Sequence, residues 1–190
     1  MILPDTKIEG MVESGEIVVE PSPDMETQLQ PASLDVHLSN EFKTIESGTV
    51  LDMKDGIQSD NASIPKDAIE EVYTKKYRLE PGEFVLASTE EYIEVPNGFV
   101  CRVEGRSSIG RLAVDVHATA GFVDPGFKGN ITLEISNKNE TNPVILRAGR
   151  RFAQLVFEKT DGKSKHAYDG KYQNQRKPTI SKIEEDVDNE

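Results

Sequence analysis

Hydrophobic and polar residues alternate with a period of two through much of the chain, which is the pattern of strands that bury one face. The alternation is clearest at residues 33–38 and 131–136, and short apolar segments lie at 84–86, 99–101 and 152–157. Glycine and proline separate these segments at 81–82, 96–98, 125–126 and 148–149. Many short strands between such turns predict an all-β fold, either a barrel or a sandwich.

The N-terminal part has a different pattern. Apolar residues at helical spacing predict a short amphipathic helix within residues 5–15, which Asp5 or Thr6 can cap. A strand is predicted at 17–19, and three prolines predict a loop at 20–32.

The length of 190 residues suits one domain with a tail. We predict a β-rich domain at 1–158, in which residues 52–76 are an insertion or extended loop. Residues 159–190 are predicted to form a C-terminal tail that is acidic and frayed over its last ten residues.

The charge balance limits the possible partners. The chain has 22 Lys and Arg against 34 Asp and Glu, a net charge of −12, which argues against general binding to DNA, RNA or anionic membranes. Residues 159–177 depart from this balance, since six basic and two acidic residues give them a local charge of +4. Only 36% of the residues are hydrophobic and there is no Trp, so we expect an oligomer that shares buried surface between subunits.

The single cysteine, Cys101, excludes a disulfide framework and a cysteine-based zinc site within one chain. No apolar run approaches the roughly 20 residues that cross a bilayer. Residues 1–5 show neither the basic nor the apolar part of a signal peptide. A cytoplasmic location is therefore expected.

The first segment with candidate chemistry is residues 105–111, Gly-Arg-Ser-Ser-Ile-Gly-Arg. It follows a predicted strand, and Arg106 and Arg111 flank two serines, a composition that suits phosphate oxygens. The segment matches the first half of a P-loop, but Arg111 and Leu112 replace the required Lys-Ser/Thr, which argues against a Walker-type NTPase. The alternative is a capped surface turn with solvated arginines.

The second segment places Glu134 in the middle of a strand, on the face opposite the apolar stripe of Ile131, Leu133 and Ile135. Glu134 then faces either water or a cleft between subunits. A solvated carboxylate is the usual case on such a strand, whereas one in a cleft is a candidate general base.

The third segment, residues 119–129, contains three glycines, one proline and Asp124. Its tight turns allow backbone to approach a ligand closely, and Asp124 is a candidate contact for a sugar hydroxyl or a metal-bound water. The alternative is a hairpin loop in which Asp124 is a turn residue. His37, His117 and His166 lack ligand spacing, so we predict structural roles for them.

Five segments, taken together, resemble the dCTP deaminase family, which has the trimeric dUTPase-like β-fold. They occur in the family's order and, allowing for insertions, cover most of the chain, at 30–36, 105–111, 119–137, 151–155 and 171–175. The resemblance implies a mainly β fold, a distorted barrel or jelly-roll with short helices, in a homotrimer whose active sites lie between subunits. It also implies that residues 1–158 are the catalytic domain and that the C-terminal tail, residues 159–190, covers the nucleotide.

The resemblance also implies roles for residues. Glu134 would be the general base that activates water against C4 of cytosine, Ser107 would hold that water and the base, and Arg111 would complete the site. Arg106 through Ser108, with Arg111, would contact the triphosphate, and Asp124 the deoxyribose. The substrate contacts implied are Arg106, Ser107, Ser108, Ile109, Gly110, Arg111, Ala120, Asp124, Thr132, Leu133, Glu134, Gln154, Tyr168, Lys171 and Gln175.

The implied cofactor is Mg²⁺, bound mainly through the triphosphate and with no protein side chain as a ligand. Zinc is not expected, because zinc deaminases use H-x-E and P-C-x-x-C ligands and this chain has neither pattern. The implied partners are dCTP as substrate and dTTP as a feedback inhibitor.

Four functions fit these sequence features to different degrees. The first is a dCTP deaminase that releases dUTP and ammonia. The second is a bifunctional enzyme that hydrolyses the dUTP further to dUMP and diphosphate. The Gly121-Phe122 pair resembles the corresponding pair of bifunctional family members. A plain dUTPase fits less well, because the tail after Tyr168 holds one glycine, Gly170, in place of the usual Gly-rich phosphate motif. A non-catalytic nucleotide-binding regulator would have no need of Glu134.

Overall fold

The computed structural model describes residues 1–52 and 64–185. Helices and 3-10 turns are short: α1 Asp5–Glu13, α2 Met25–Gln28, α3 Ser107–Gly110, and 3-10 turns at Lys66–Ala68 and Ile183–Glu185. The strands of the first half are β1 Val18–Glu20, β2 Leu29–Gln30, β3 Ser33–His37, β4 Glu41–Ile45, β5 Ile69–Tyr73, β6 Lys76–Leu79 and β7 Phe84–Glu94. Those of the second half are β8 Phe99–Gly105, β9 Val114–Asp115, β10 Phe122–Val123, β11 Lys128–Asn137, β12 Val144–Arg147 and β13 Arg151–Lys159.

Two antiparallel sheets make up the body of the protein. One has the order β5-β4-β7-β11-β9, with β1 also paired to β7, and the other has the order β10-β8-β13-β3-β2. Strands β6 and β12 form a separate pair. The mainly β fold with short helices is thus confirmed, but over the described residues the sheets are open and do not close into a barrel.

The apolar faces of both sheets share one core. Leu34 of β3 and Phe157 of β13 lie in the same buried cluster as Phe42 of β4 and Leu133 of β11. Burial of these side chains is the main stabilising contribution, at about 1.5–3 kcal/mol for each large apolar side chain.

Strand β11 carries the pattern that the sequence predicts. Ile131, Leu133 and Ile135 are buried, while Thr132 and Glu134 are half-buried on the other face. The pairing of β11 with β7 shifts register between Asn130 and Thr132 and then places Glu134 opposite Leu86. The core-facing stripe therefore fixes the face on which Glu134 lies.

Two of the loops predicted from the sequence are partly wrong. Within 20–32, Asp24 caps α2 by accepting a hydrogen bond from the Glu26 N–H at 3.1 Å, and β2 follows at once. Elements of two to four residues are too short to show a hydrophobic period, so the prolines alone led to the prediction of a loop.

The predicted insertion at 52–76 is also partly wrong. Residues 53–63 lie outside the described residues, but β5 pairs along its whole length with β4. Strand β5 is at the edge of its sheet and its Glu70 and Glu71 are exposed, so its sequence lacks the apolar alternation of a central strand.

Residues 160–185 fold back onto the two sheets. The side chain of Asn97 makes two hydrogen bonds with the backbone of Ser164, donating to its C=O and accepting from its N–H. Further along, Gln175 forms a bridge to Gly129 at the start of β11.

Of the ten residues predicted to fray, 183–185 form a 3-10 turn and 186–190 lie outside the described residues. No helix in the described ranges has the length and apolar character of a membrane span.

Candidate active site

A cavity of about 1080 Å³ lies against the outer face of β7 and β11. It brings together eight of the residues that the sequence resemblance singled out: Ala120, Phe122, Asp124, Thr132, Glu134, Tyr168, Lys171 and Gln175. Apolar side chains from Ile45, Phe84 and Leu86 line the same cavity. The cavity therefore combines a polar and an apolar wall, as small-molecule binding sites do.

Glu134 is held in this cavity by backbone. Its Oε2 accepts a hydrogen bond from the N–H of Ala118 at 3.0 Å, and the other oxygen is not part of that bond. Strand pairing with β7 fixes the backbone of Glu134, and the Ala118 N–H fixes one of its carboxylate oxygens. A carboxylate held in this way at the wall of a cavity suits a general base.

The 106–111 loop lies in a second, smaller cavity. Strand β8 ends at Gly105 and α3 begins at Ser107, so the loop is a tight strand-to-helix turn. Gly105, Arg106, Ser107 and Gly110 line a cavity of about 350 Å³, together with Val114, Asp115, Val116, His117 and Ala118. Ser107 and Glu134 therefore line different cavities of one protomer, and Ala118 links the two.

The side chains of this loop divide into engaged and exposed ones. Arg106 is engaged inside the protein: its Nε lies 3.0 Å from Oδ2 of Asp35, and its Nη1 donates to the C=O of Arg151 at 3.0 Å. Ile109 is half-buried against the core. Arg111 is exposed, as are the remaining loop residues Ser107, Ser108 and Gly110.

The 119–129 loop is closely packed at Gly121, where a side chain would have little room. A Cβ on Gly121 would lie 2.9 Å from Cε1 of His117 and 3.0 Å from the carbonyl oxygen of Val103. Phe122 then pairs with β8 and exposes its ring at the cavity. Asp124 is exposed and accepts the Phe127 N–H through its backbone C=O at 3.2 Å, so it is both a turn residue and part of the cavity wall.

The tail closes one side of the large cavity. The Tyr168 ring lies 5.9 Å from the ring of Phe127, and the Gln175 side chain donates to the C=O of Asn130 at 2.8 Å. The N–H of Thr179 donates to Oγ1 of Thr132 at 3.2 Å, so the tail reaches the strand that carries Glu134.

Besides the 106–111 loop, two residues of the predicted set do not contribute side chains to the large cavity. Leu133 is fully buried in the core, so only its backbone could contact a ligand. Gln154 is half-buried on β13, opposite Asp35 and Glu104, and lines neither of the two cavities.

Phe127, Tyr172 and Thr179 are among the cavity residues to which the sequence assigned no role. Phe127 and Tyr172 lie within the segments 119–129 and 171–175 that were singled out, so their positions were a usable signal. Thr179 has no motif around it, because only the path of the folded tail brings it to Thr132.

Within the described ranges, no three His, Cys, Asp or Glu side chains form a metal-binding group. Cys101 is fully buried, and burial raises the pKa of its thiol.

A family profile described as dCTP deaminase-like matches residues 2–160. The chain belongs to the dCTP deaminase family. It is 43% identical over 98% of its length to "dCTP deaminase, dUMP-forming" of Methanosphaera stadtmanae, covering 96% of that protein. It is 41% identical over 98% of its length to "dCTP deaminase" of Haloarcula marismortui, again covering 96% of that protein.

The fold is also that of a solved family member. The crystal structure of 2'-deoxycytidine 5'-triphosphate deaminase from Agrobacterium tumefaciens matches with a TM-score of 0.64 and 25% identity over 84% of this chain. This chain spans about half of that longer chain, since the match covers 48% of it. Relatives with and without "dUMP-forming" in their names are about equally similar, so identity alone does not distinguish the two end products.

Proposed function

We propose that this protein hydrolyses dCTP to dUTP and ammonia, with Glu134 as the general base. The observation that carries the proposal is the placement of Glu134, which is fixed by the Ala118 N–H in a cavity of nucleotide size. Membership in the dCTP deaminase family supplies the substrate class.

The chemistry requires one water and one base. Glu134 takes a proton from water as the water oxygen bonds to C4 of cytosine, and passes that proton to N3, which gives a tetrahedral adduct. The hydroxyl proton of the adduct is then transferred through Glu134 to the exocyclic amino group, the C4–N bond breaks, and ammonia leaves as the carbonyl of uracil forms and N3 keeps its proton. A positioned acid–base group of this kind contributes about 10²–10⁴-fold to the rate.

The remaining groups of the cavity bind and orient the nucleotide. Asp124 is proposed to accept a hydrogen bond from the deoxyribose hydroxyl, and Thr132 and Gln175 to contact the base and sugar. Lys171 and the basic tail bring positive charge to the triphosphate, although the chain as a whole is acidic.

Ser107 and Arg111 are proposed to complete the site in an oligomer. They do not line the cavity of Glu134 in one protomer, and exposed apolar side chains occur near both parts, at Leu112 and Phe84. We infer a homotrimer in which the 106–111 loop of one subunit meets the large cavity of its neighbour.

Magnesium is proposed to enter with the nucleotide. Mg²⁺ prefers oxygen ligands and commonly binds through substrate phosphates. When bound, the ion neutralises triphosphate charge. A dTTP inhibitor would use the same triphosphate contacts. The location proposed for the protein is the cytoplasm.

A second candidate is further hydrolysis of dUTP to dUMP and diphosphate. Asp124 and Glu134 are two of the four carboxylates that line the large cavity, so a second base is present for water attack on a phosphorus atom. Gly121, which is closely packed against His117 and Val103, precedes Phe122, and both Phe122 and Asp124 line that cavity.

Chromatography of the products after incubation with dCTP and Mg²⁺ tests both candidates. We expect loss of dCTP with release of ammonia. An accumulation of dUTP supports deamination alone, dUMP with diphosphate supports the second step, and unchanged dCTP contradicts the proposal. Parallel incubation with dUTP isolates the second step.

A further inference from the structure

Asp35 is a buried carboxylate between two arginines. It lies on β3 and is 1% exposed. Its Oδ2 is 3.0 Å from Nε of Arg106 and 3.2 Å from Nη1 of Arg151. Three distant parts of the chain, β3, the 106–111 loop and β13, therefore meet at one oxygen atom.

A register irregularity puts Arg151 in reach of Asp35. Strand β13 pairs with β3 so that Ala153 is opposite Val36, but Arg151 is opposite His37, with one extra residue between. Phe152 stays buried in the core while Arg151 lies on the side of Asp35. Irregularities of this kind are common next to functional sites, where they redirect a side chain.

Arg106 uses two of its N–H groups for this contact. Besides the Nε contact with Asp35, its Nη1 donates to the C=O of Arg151. Arg106 stands immediately before α3, so its side chain is the fixed point from which Ser107 and the rest of the loop extend. A shift of Arg106 would move the whole loop.

The surroundings of Asp35 favour a fixed arrangement. Arg106 and Arg151 contact the carboxylate, and His37 faces it from the same strand. His37 is itself bonded through Nδ1 to Oε1 of Glu91 at 2.6 Å. The second oxygen, Oδ1 of Asp35, is buried and has no hydrogen-bond partner among the described residues. Removing one member of such a buried ion pair is strongly destabilising, so the members keep each other in place.

We propose that Asp35 is a positioning residue for phosphate recognition: it clamps Arg106 against Arg151 and so sets the position of the 106–111 loop. The inference rests on the proposed function, in which this loop contacts the triphosphate. It also changes the role proposed for Arg106, whose side chain holds the loop in place. Arg111 is exposed, so its guanidinium can reach a phosphate.

Asp35→Asn keeps the size of the side chain and removes its charge. Two probes separate the ends of the nucleotide: inorganic tripolyphosphate for the phosphate end and deoxycytidine for the nucleoside end. We expect the Kd of tripolyphosphate, measured by calorimetry, to rise roughly tenfold or more, because misplaced binding groups lose contact energy. The Kd of deoxycytidine should change by less than about twofold, as distant sites act independently.

Glu91→Gln is the matched control, because Glu91 is also a buried carboxylate paired with a basic side chain but does not contact the loop. It should lower the unfolding temperature without changing the Kd of tripolyphosphate. If both variants weaken tripolyphosphate equally, the role of Asp35 is general stability and the inference is wrong.

Arg151→Gln provides a test if Asp35→Asn does not fold, since Asp35 then keeps Arg106 as its partner. This variant should also weaken tripolyphosphate, and an unchanged Kd contradicts the clamp. A wild type that binds no tripolyphosphate contradicts it as well. By contrast, a wild type that binds tripolyphosphate and releases no ammonia from dCTP contradicts the proposed function alone.

Discussion

Ala118 and Glu134 are joined by a hydrogen bond of 3.0 Å from the backbone N–H of Ala118 to Oε2 of Glu134. Ala118 lines the small cavity with Ser107, and Glu134 lines the large one with Asp124. This bond connects the wall of the small cavity to the strand that carries the proposed base. The backbone at residue 118 therefore orients the carboxylate of Glu134.

Ala118→Pro removes that N–H and should lower kcat for dCTP deamination roughly tenfold to a hundredfold, because a base out of position loses much of its effect. Ala118→Gly keeps the N–H and is the control. Steady-state release of ammonia measures both variants. Equal kcat values for the proline and glycine variants would show that the bond does not orient Glu134.

Gly121→Ala should destabilise the protein by about 1–3 kcal/mol, as overpacking generally does, because its Cβ would press on His117 and Val103. Gly10→Ala is the control. Its Cβ meets nothing within 4 Å in α1, so this change should stabilise the helix by about 0.5–1 kcal/mol. Urea unfolding measures both. A Gly121→Ala variant as stable as wild type would mean that the loop has room for a side chain.

The stability contribution of Asp35 should depend on pH. Burial raises the pKa of Asp35 above its usual value of 3.8, although Arg106 and Arg151 oppose the shift. The folded state then holds a proton that the unfolded state has lost, so the free energy of unfolding falls as the pH rises from about 3.8 through the folded pKa. Above the folded pKa the contribution is constant.

Comparison of wild type with Asp35→Asn isolates this effect. The unfolding free energy of wild type minus that of the variant should decrease with rising pH over this window and then level off. Urea unfolding at a series of pH values gives the difference. A difference that grows with pH would mean that the ion pairs outweigh burial.

Removal of the tail should weaken nucleotide binding. A chain ending at Lys159 lacks Tyr168, Lys171 and Gln175, all of which line the large cavity. We expect the Kd of dCTP to rise at least about tenfold, or about 1.4 kcal/mol. A chain ending at Glu185 is the control, because it keeps these residues. Equal affinity of both chains would exclude a nucleotide-covering role for the tail.

The residues of β11 explain why much of the site was readable from the sequence. The stripe of Ile131, Leu133 and Ile135 determines which face is buried, and Glu134 must then lie on the other one. Short-range patterns of this kind depend only on strand geometry.

The clamp at Asp35 was not readable for the opposite reason. Asp35 alternates with Leu34 and Val36, a pattern that by itself describes an exposed carboxylate. It is buried because Arg106 and Arg151, about 70 and 115 residues further along the chain, cover it. Alternation along one strand carries no information about which distant residues cover it. The contact of Thr179 with Thr132 could not be predicted for the same reason.

The central claim is that Glu134 is the general base for deamination, and Glu134→Gln tests it most directly. The variant keeps the size of the side chain, so it should bind dCTP with a Kd within about threefold of wild type, as a side chain of equal size preserves the binding contacts. Its rate of ammonia release should fall by about 10²–10⁴-fold, since the amide cannot accept the proton. Glu140→Gln, at an exposed site beyond the end of β11, is the control and should release ammonia at the wild-type rate. Wild-type release of ammonia by Glu134→Gln would contradict the account.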